Sequence, residues 1–535
     1  MSIDRSIIKK AHELNHSMRI DTKDYIHNNP LASVNYELVL PDKTKHGFQL
    51  NYDIRDIMLL ASLTQSSVLM TGGTDSGKTT LARLVMNSLF GKEDDGWHRI
   101  DFDLDFGKES YSDMDFGVIT GGKKMSEGMY SISPFFKMPG IILDEMNRTH
   151  AQLANKAIHV FDKDLTLPDG SRVKIGKEYD DGGLAKRYQF HIAAINEGAD
   201  YAGTFDIDKA LRRRTIIEIP MDVFPPTRVD RKKLEEITVK ELGLRNTENR
   251  FDTVLEIYKA LTNGISMHPN ARMFKAYMEA FDFCKYSLTG EKGSVASKNG
   301  SIHHVCTAPI KTQITQMNGE TMQCEFLKTF EYDMCPSVRG ITVGVSKNMG
   351  NVARGFALIR ATKFLEMCYA AIVKNEPEVA LEFKVFNPEK FKESLQDYVG
   401  QKLEGTDLVK AATEKYLDKL EVEISDIEAA AAFVGYSKIG IAPSWTVKHF
   451  QGNQYGAIRY FLNNVKSKFE EGRARPELNN LGEVLQGKAS PQVLKGIENY
   501  CMSENPWMWA TIKPYLDGGK KEETQLQEEV LGFYK

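Results

Sequence analysis

From about residue 53 to residue 220 the chain alternates short apolar runs with longer stretches whose apolar residues recur at helical spacing. The runs at 67–70, 98–102, 140–143, 190–195 and 215–219 predict strands. Strands alternating with helices in this way predict a parallel sheet covered by helices on both faces. Upstream, residues 7–18 fit a helix, 34–40 an extended segment that turns at Pro41-Asp42, and 53–63 a second helix. Past Pro225-Pro226 the pattern turns helical, at 231–242, 253–263, 271–286, 351–374 and 424–433. Two stretches interrupt it: 287–335, rich in Gly, Ser and Thr and then β-like, and 375–420, charged and helical. Residues 436–516 carry more aromatics (Trp445, Tyr455, Tyr460, Trp507, Trp509), and 517–535 is a charged tail. The expected division is an N-terminal extension (1–50), an α/β core (51–223), a helical lid with insertions (224–435) and an α-rich C-terminal region (436–535).

Composition narrows the class. With 535 residues, 27% charged and 41% hydrophobic, the chain reads as soluble protein of several domains. A net charge of -4 supplies no global attraction for nucleic acid, although a local basic pore would fit within it. No apolar run approaches the length that crosses a bilayer, and the polar start Met1-Ser2-Ile3-Asp4-Arg5 is not expected to be a signal peptide. Six scattered cysteines predict reduced thiols and a cytoplasmic protein. His303, His304, Cys306, Cys324 and Cys335 include no C-x-x-C pair and are not expected to bind zinc.

The chemistry begins where the first strand ends. Gly72-Gly73-Thr74-Asp75-Ser76-Gly77-Lys78-Thr79 fits G-x-x-x-x-G-K-[ST] between a strand and a helix, the context that gives this motif its meaning. Its glycines let backbone N–H groups curl around a β-phosphate, and the helix adds its positive N-terminal end. Lys78 is expected to reach the β- and γ-phosphates, and the Thr79 hydroxyl to ligate Mg²⁺; Thr80 follows them into the site. A nucleoside triphosphate is the expected ligand. The run Ile141-Ile142-Leu143-Asp144-Glu145 puts two carboxylates at a strand's C-terminal tip, where open α/β sheets bind ligands. Asp144 is expected to hold Mg²⁺ and Glu145 to deprotonate the attacking water. The strand at 190–195 ends in Asn196, an amide that positions a water without adding charge. Arg212-Arg213-Arg214 precede the last strand, and an arginine supplied in trans stabilises the charge that develops on a transferred phosphoryl group.

In this order and spacing the four elements resemble the AAA+ ATPases, most closely their MoxR-like and dynein-related branch. There the water-activating strand continues Asp-Glu-(Ile/Met)-Asn-Arg, to which Asp144-Glu145-Met146-Asn147-Arg148 is similar. Residues 151–161 match a helix that ends in an acidic residue before a hairpin, and 196–204 resemble the sensor-1 segment. The run Ala210-Leu211-Arg212-Arg213-Arg214 is similar to the finger run, with Arg214 as the finger. Thr215 replaces the family's Phe, which leaves Arg213 as the alternative. Residues 118–134 match the family's helix-2 insert. Residues 165–174, with an Asp169-Gly170 turn, match its pre-sensor-1 hairpin. In the family both project toward the pore of a ring, and Lys123-Lys124 in the first would suit an acidic substrate. For the lid arginine, Arg272 in His268-Pro269-Asn270-Ala271-Arg272 is favoured over Arg339. Residues 422–430 resemble the last lid strand and helix, so the insertions split the lid.

The resemblance covers about residues 50–225 well and the lid weakly. It implies an AAA+ P-loop NTPase core with a helical lid, ATP and Mg²⁺ as ligands, and a homo-oligomeric ring, a hexamer. Its work would be the remodelling or activation of a protein client, commonly with a von Willebrand factor A partner. The alternative is a nucleic-acid-dependent motor, since the arginine run is also similar to the GTP-hydrolysing subunit of modification-dependent restriction enzymes. A nucleotide-gated scaffold that turns over slowly is the third reading.

Overall fold

In the computed structural model the described residues are 4–23, 29–73, 76–91, 103–105, 134–148, 160–166, 172–197, 209–224, 248–279, 314–315, 321–322, 338–339, 341, 343–375, 388–436, 438–441, 443–473 and 490–504. They group into two compact units, Met1–Ser266 with Asn351–Ala429, and Met267–Gly350 with Ala430–Lys535.

The first unit opens with α1 (Arg5–Asp21), followed by the antiparallel hairpin β1 (Ala32–Val39) and β2 (Lys45–Tyr52) and by α2 (Ile54–Leu63). Next come β3 (Val68–Gly72), α3 (Lys78–Phe90), β4 (Asp103–Asp105) and β5 (Gly140–Asp144). Two hairpins follow, β6 (Asp164–Thr166) with β7 (Arg172–Lys174), and β8 (Lys177–Asp181) with β9 (Leu184–Tyr188). The remaining labelled elements are β10 (Phe190–Asn196), α4 (Lys209–Arg214), β11 (Ile217–Pro220) and α5 (Phe251–Gly264).

Five parallel strands form the central sheet in the order β11-β3-β10-β5-β4. Every residue of β3, β5, β10 and β11 is buried, which is why these strands read as continuous apolar runs rather than alternating ones. The expected strands at 67–70, 140–143, 190–195 and 215–219 are therefore real, within a residue or two at their ends. The second strand is described at Asp103–Asp105, where Asp105 pairs with Asp144. The run at 98–102 lies outside the described residues. Because β3 sits between β10 and β11 while β4 lies at the far edge, the strand order reverses at β3. Such a switch point is where open α/β sheets bind ligands, at the carboxyl ends of the strands.

Residues 1–50, expected as an extension, are wired into this unit. Arg19 of α1 binds Asp53 at 2.8 Å and Asp56 at 2.6 Å, the two carboxylates that form the capping box of α2. Lys363 also reaches Asp56, at 2.9 Å. Two residues further, at the last position of α1, Asp21 accepts from Arg250 at 2.7 Å and from Ser88 of α3 at 2.9 Å. The N-terminal helix thus braces the end of the helix that leaves the phosphate loop.

The hairpin β1–β2 is held by a buried charge. Arg360, 1% exposed, donates to the Tyr416 hydroxyl, the Glu423 carboxylate, the Glu421 carbonyl at 2.6 Å and Asp426 at 3.1 Å. Asp426 accepts in turn from the Tyr36 hydroxyl of β1 at 3.0 Å, and Tyr36 shares a hydrogen bond of 2.7 Å with Tyr52 of β2. The guanidinium also lies 5.0 Å from the centre of the Tyr36 ring. Removing Arg360 leaves the Asp426 carboxylate, fully buried, without its counter-charge. Arg360→Ala is therefore expected to lower unfolding free energy by about 3–5 kcal/mol, read as the shift of the urea midpoint. A midpoint within error of wild type would show the network to be dispensable.

The helical region past residue 224 is shared between the units. The helices Pro388–Val399 and Gly405–Asp418, expected as an insertion, belong to the first. In the second unit, Val338–Arg339 pairs antiparallel with Gly440–Ile441. Helices Pro269–Glu279 and Gln454–Arg473 pack there through Phe274 and Tyr277, each ring 5.4 Å from that of Phe469. The segment 231–242 and all but the last residue of the helix-2 insert expected at 118–134 lie outside the described residues. No described helix is long and apolar enough to cross a membrane.

Candidate active site

The site gathers at the carboxyl ends of β3, β5 and β10, in register: Asn196 pairs with Gly72, and Ala193 with Leu143 one residue before Asp144. The loop leaving β3 needs glycine at two points. Gly72 has φ 142° and Gly77, the residue before α3, has φ 80°, both conformations that a side chain opposes. Thr74 and Asp75 lie outside the described residues. Lys78 is buried and folds back over the loop, donating to the carbonyls of Gly72 at 3.0 Å and Gly73 at 2.6 Å and to the Ser76 hydroxyl at 2.9 Å. Ser76 itself donates to the Gly73 carbonyl at 2.8 Å. The lysine ammonium is thus held at the loop, beside the N-terminus of α3.

The Thr79 hydroxyl donates to both carboxylate oxygens of Asp144, at 3.0 and 2.8 Å. A hydroxyl and a carboxylate brought together at the end of a phosphate loop are the hard oxygen donors that Mg²⁺ takes alongside phosphate oxygens. The two predicted metal residues therefore fit that ion. Asp144 is buried at 6% exposure, whereas its neighbour Glu145 is partly exposed. That difference suits the inner carboxylate to a cation and the outer one to a water.

Glu145 is also one of the described non-glycine residues with positive φ, at 51°. Backbone in this region costs free energy in an L-residue and tends to persist where function requires it. Its N–H donates to Asp144 Oδ1 at 3.0 Å, and its Oε1 lies 3.5 Å from Asn196 Nδ2. Asn147 locks the two strand tips together. Its amide donates to the Asn196 carbonyl at 2.6 Å, and its Oδ1 accepts from the Asn196 N–H at 3.3 Å. In the sequence Asn147 stands out only as part of the motif Asp144-Glu145-Met146-Asn147-Arg148. The signal for its role was its position beside two carboxylates on a buried strand end.

The three arginines of α4 separate. Arg212 pairs with Glu197 and lies 3.6 Å from the buried Glu218. Arg213 is exposed. Arg214 gives its Nε to both oxygens of Asp162, at 2.8 and 2.9 Å. Asp162 is the acidic residue before the hairpin β6–β7, which forms as expected with Leu165 opposite Val173. The second hairpin, β8–β9, was missed although Asp181-Gly182-Gly183 is a turn signal; both glycines take positive φ, 66° and 85°. Thr80 lies on the first turn of α3, partly exposed. Arg272 belongs to the second unit, exposed near the start of Pro269–Glu279, and Arg339 lies on the short strand Val338–Arg339 of that unit. Another residue that sequence reasoning missed is Asp222, whose carboxylate meets the phosphate loop from the turn after β11.

No family model matches the chain, and no curated protein matches it. Among the solved structures it resembles is a 2.00 Å crystal structure from Cytophaga hutchinsonii described as a "putative ATPase". The two share 11% identity with a TM-score of 0.44, covering 86% of this chain and 97% of that one. By its own strand order, loop and Asp144 tip, the core is an α/β phosphate-loop NTPase fold with helical regions appended.

Proposed function

We propose that the chain is a Mg²⁺-dependent ATPase of the AAA+ class, of the MoxR-like and dynein-related branch. It works as a homo-hexameric ring in the cytoplasm and uses ATP turnover to remodel or activate a protein client. The observation that carries this reading is the Thr79 hydroxyl on the Asp144 carboxylate, with Glu145 and Asn196 beside them. The motif Asp144-Glu145-Met146-Asn147-Arg148 supports the branch, and the hairpin β6–β7 supports client contact.

The residues divide the work as follows. Backbone N–H groups of the loop and Lys78 bind the β- and γ-phosphates. Mg²⁺, when bound by Thr79 and Asp144, neutralises charge on the phosphate oxygens. Asn196 orients the attacking water and Glu145 accepts its proton. An arginine of the neighbouring subunit, Arg214, faces the transferred phosphoryl group, which makes the interfaces head-to-tail and the ring closed. A von Willebrand factor A partner and a lid arginine, Arg272, complete the reading.

Thr79→Ala tests the carrying observation. Wild type is expected to bind ATP more tightly with Mg²⁺ than with EDTA, and the variant to lose most of that difference, measured by titration calorimetry. An undiminished Mg²⁺ effect in the variant would place the cation elsewhere.

A further inference from the structure

The turn Met221–Val223 leaves β11 and carries Asp222 over the start of the phosphate loop. Both carboxylate oxygens lie 3.1 Å from the backbone nitrogen of Gly73, which donates to them. The approach is close: a Cβ on Gly72 would come 2.9 Å from Asp222 Oδ1 and 3.2 Å from its Cγ. Gly72 is required for its φ of 142°, and a side chain there would also displace the Asp222 carboxylate.

The same peptide is gripped from its other side. The Gly73 carbonyl accepts from Lys78 and from Ser76, and the Gly72 carbonyl from Lys78. The first turn of the loop is therefore clamped between a cation on its carbonyls and an anion on its N–H. An ammonium has three donors, so Lys78 drawn toward phosphate has fewer left for those carbonyls. Asp222 then remains as a charged anchor of the turn.

We propose that Asp222 is a positioning residue of the phosphate loop, holding Gly73 in place as Lys78 passes from the loop carbonyls to the nucleotide. It also ties the loop to the exit of β11. The assignment rests on the reading of this loop as a nucleotide site. Hydrogen bonds to charged groups contribute more than neutral ones, and this one is exposed, which sets the effect at the lower end of the range.

The test is titration calorimetry of Mg-ATP and of ADP against the full chain, with steady-state hydrolysis alongside. Asp222→Ala is expected to weaken both ligands about tenfold, with the loss falling on KM more than on kcat. Asp222→Asn keeps an oxygen that accepts from Gly73 and is expected to recover most of that loss. Because Asp222 is exposed, both variants should melt within a few degrees of wild type, which separates positioning from folding. Asp222→Ala binding like wild type would overturn the assignment. So would Asp222→Asn binding more tightly than wild type, since the carboxylate would then oppose the phosphates rather than serve them. A wild-type chain that binds no ATP would overturn the reading of the site itself, and this assignment with it.

Discussion

Replacing Glu145 by Gln is expected to slow ATP hydrolysis by about 10²–10⁴-fold while ATP still binds. The side chain keeps its length, and its amide oxygen can still accept from Asn196 Nδ2, now at 3.5 Å from Glu145 Oε1. What it loses is the basicity that takes a proton from the attacking water. Asp144, with the Thr79 hydroxyl on it, is untouched, so cation and phosphates should be held as before. The check is phosphate release at saturating ATP together with binding of ATP by calorimetry. Turnover within tenfold of wild type would remove Glu145 from the role of base.

Arg214→Ala carries the other large expectation, a loss of about 10³-fold or more in turnover, because an arginine acting in trans contributes on that scale. Its Nε donates to both oxygens of Asp162, at the exposed edge of the same chain. The variant should still bind ATP. The sharper form of the test mixes two inactive proteins, Glu145→Gln and Arg214→Ala, each carrying what the other lacks. Interfaces that join an intact Glu145 to an intact Arg214 should then recover part of the turnover. No recovery on mixing would argue against completion of the site by a neighbour, and Arg213→Ala in the same assay distinguishes the other candidate.

Much of this site was legible because its chemistry is local in sequence. The run Gly72 to Thr79 announces a strand, a loop and a helix in eight residues, and Asp144-Glu145 announces itself by ending an apolar run. Residues that act across the fold left weaker traces. Asn147 and Asn196 are 49 positions apart, and Gly73 and Asp222 are 149 apart. Their hydrogen bonds exist only once the sheet has set β10 beside both β3 and β5, and β11 beside β3. Arg360 was equally silent: a single arginine in a long helical pattern gives no sign that Tyr36, Tyr416, Glu423 and Asp426 converge on it. The first 50 residues read as an extension for the same reason. Their ties, Arg19 to Asp53 and Asp21 to Arg250, join segments that sequence order keeps apart.

The central claim is that the loop, Thr79, Asp144 and Glu145 form one hydrolytic site. The most direct test is phosphate release from ATP by the purified wild-type chain, with Mg²⁺ and with EDTA, beside Lys78→Ala. The account predicts release that saturates with ATP, stops in EDTA and is lost in Lys78→Ala. Release that persists in EDTA or survives the loss of Lys78 would contradict it.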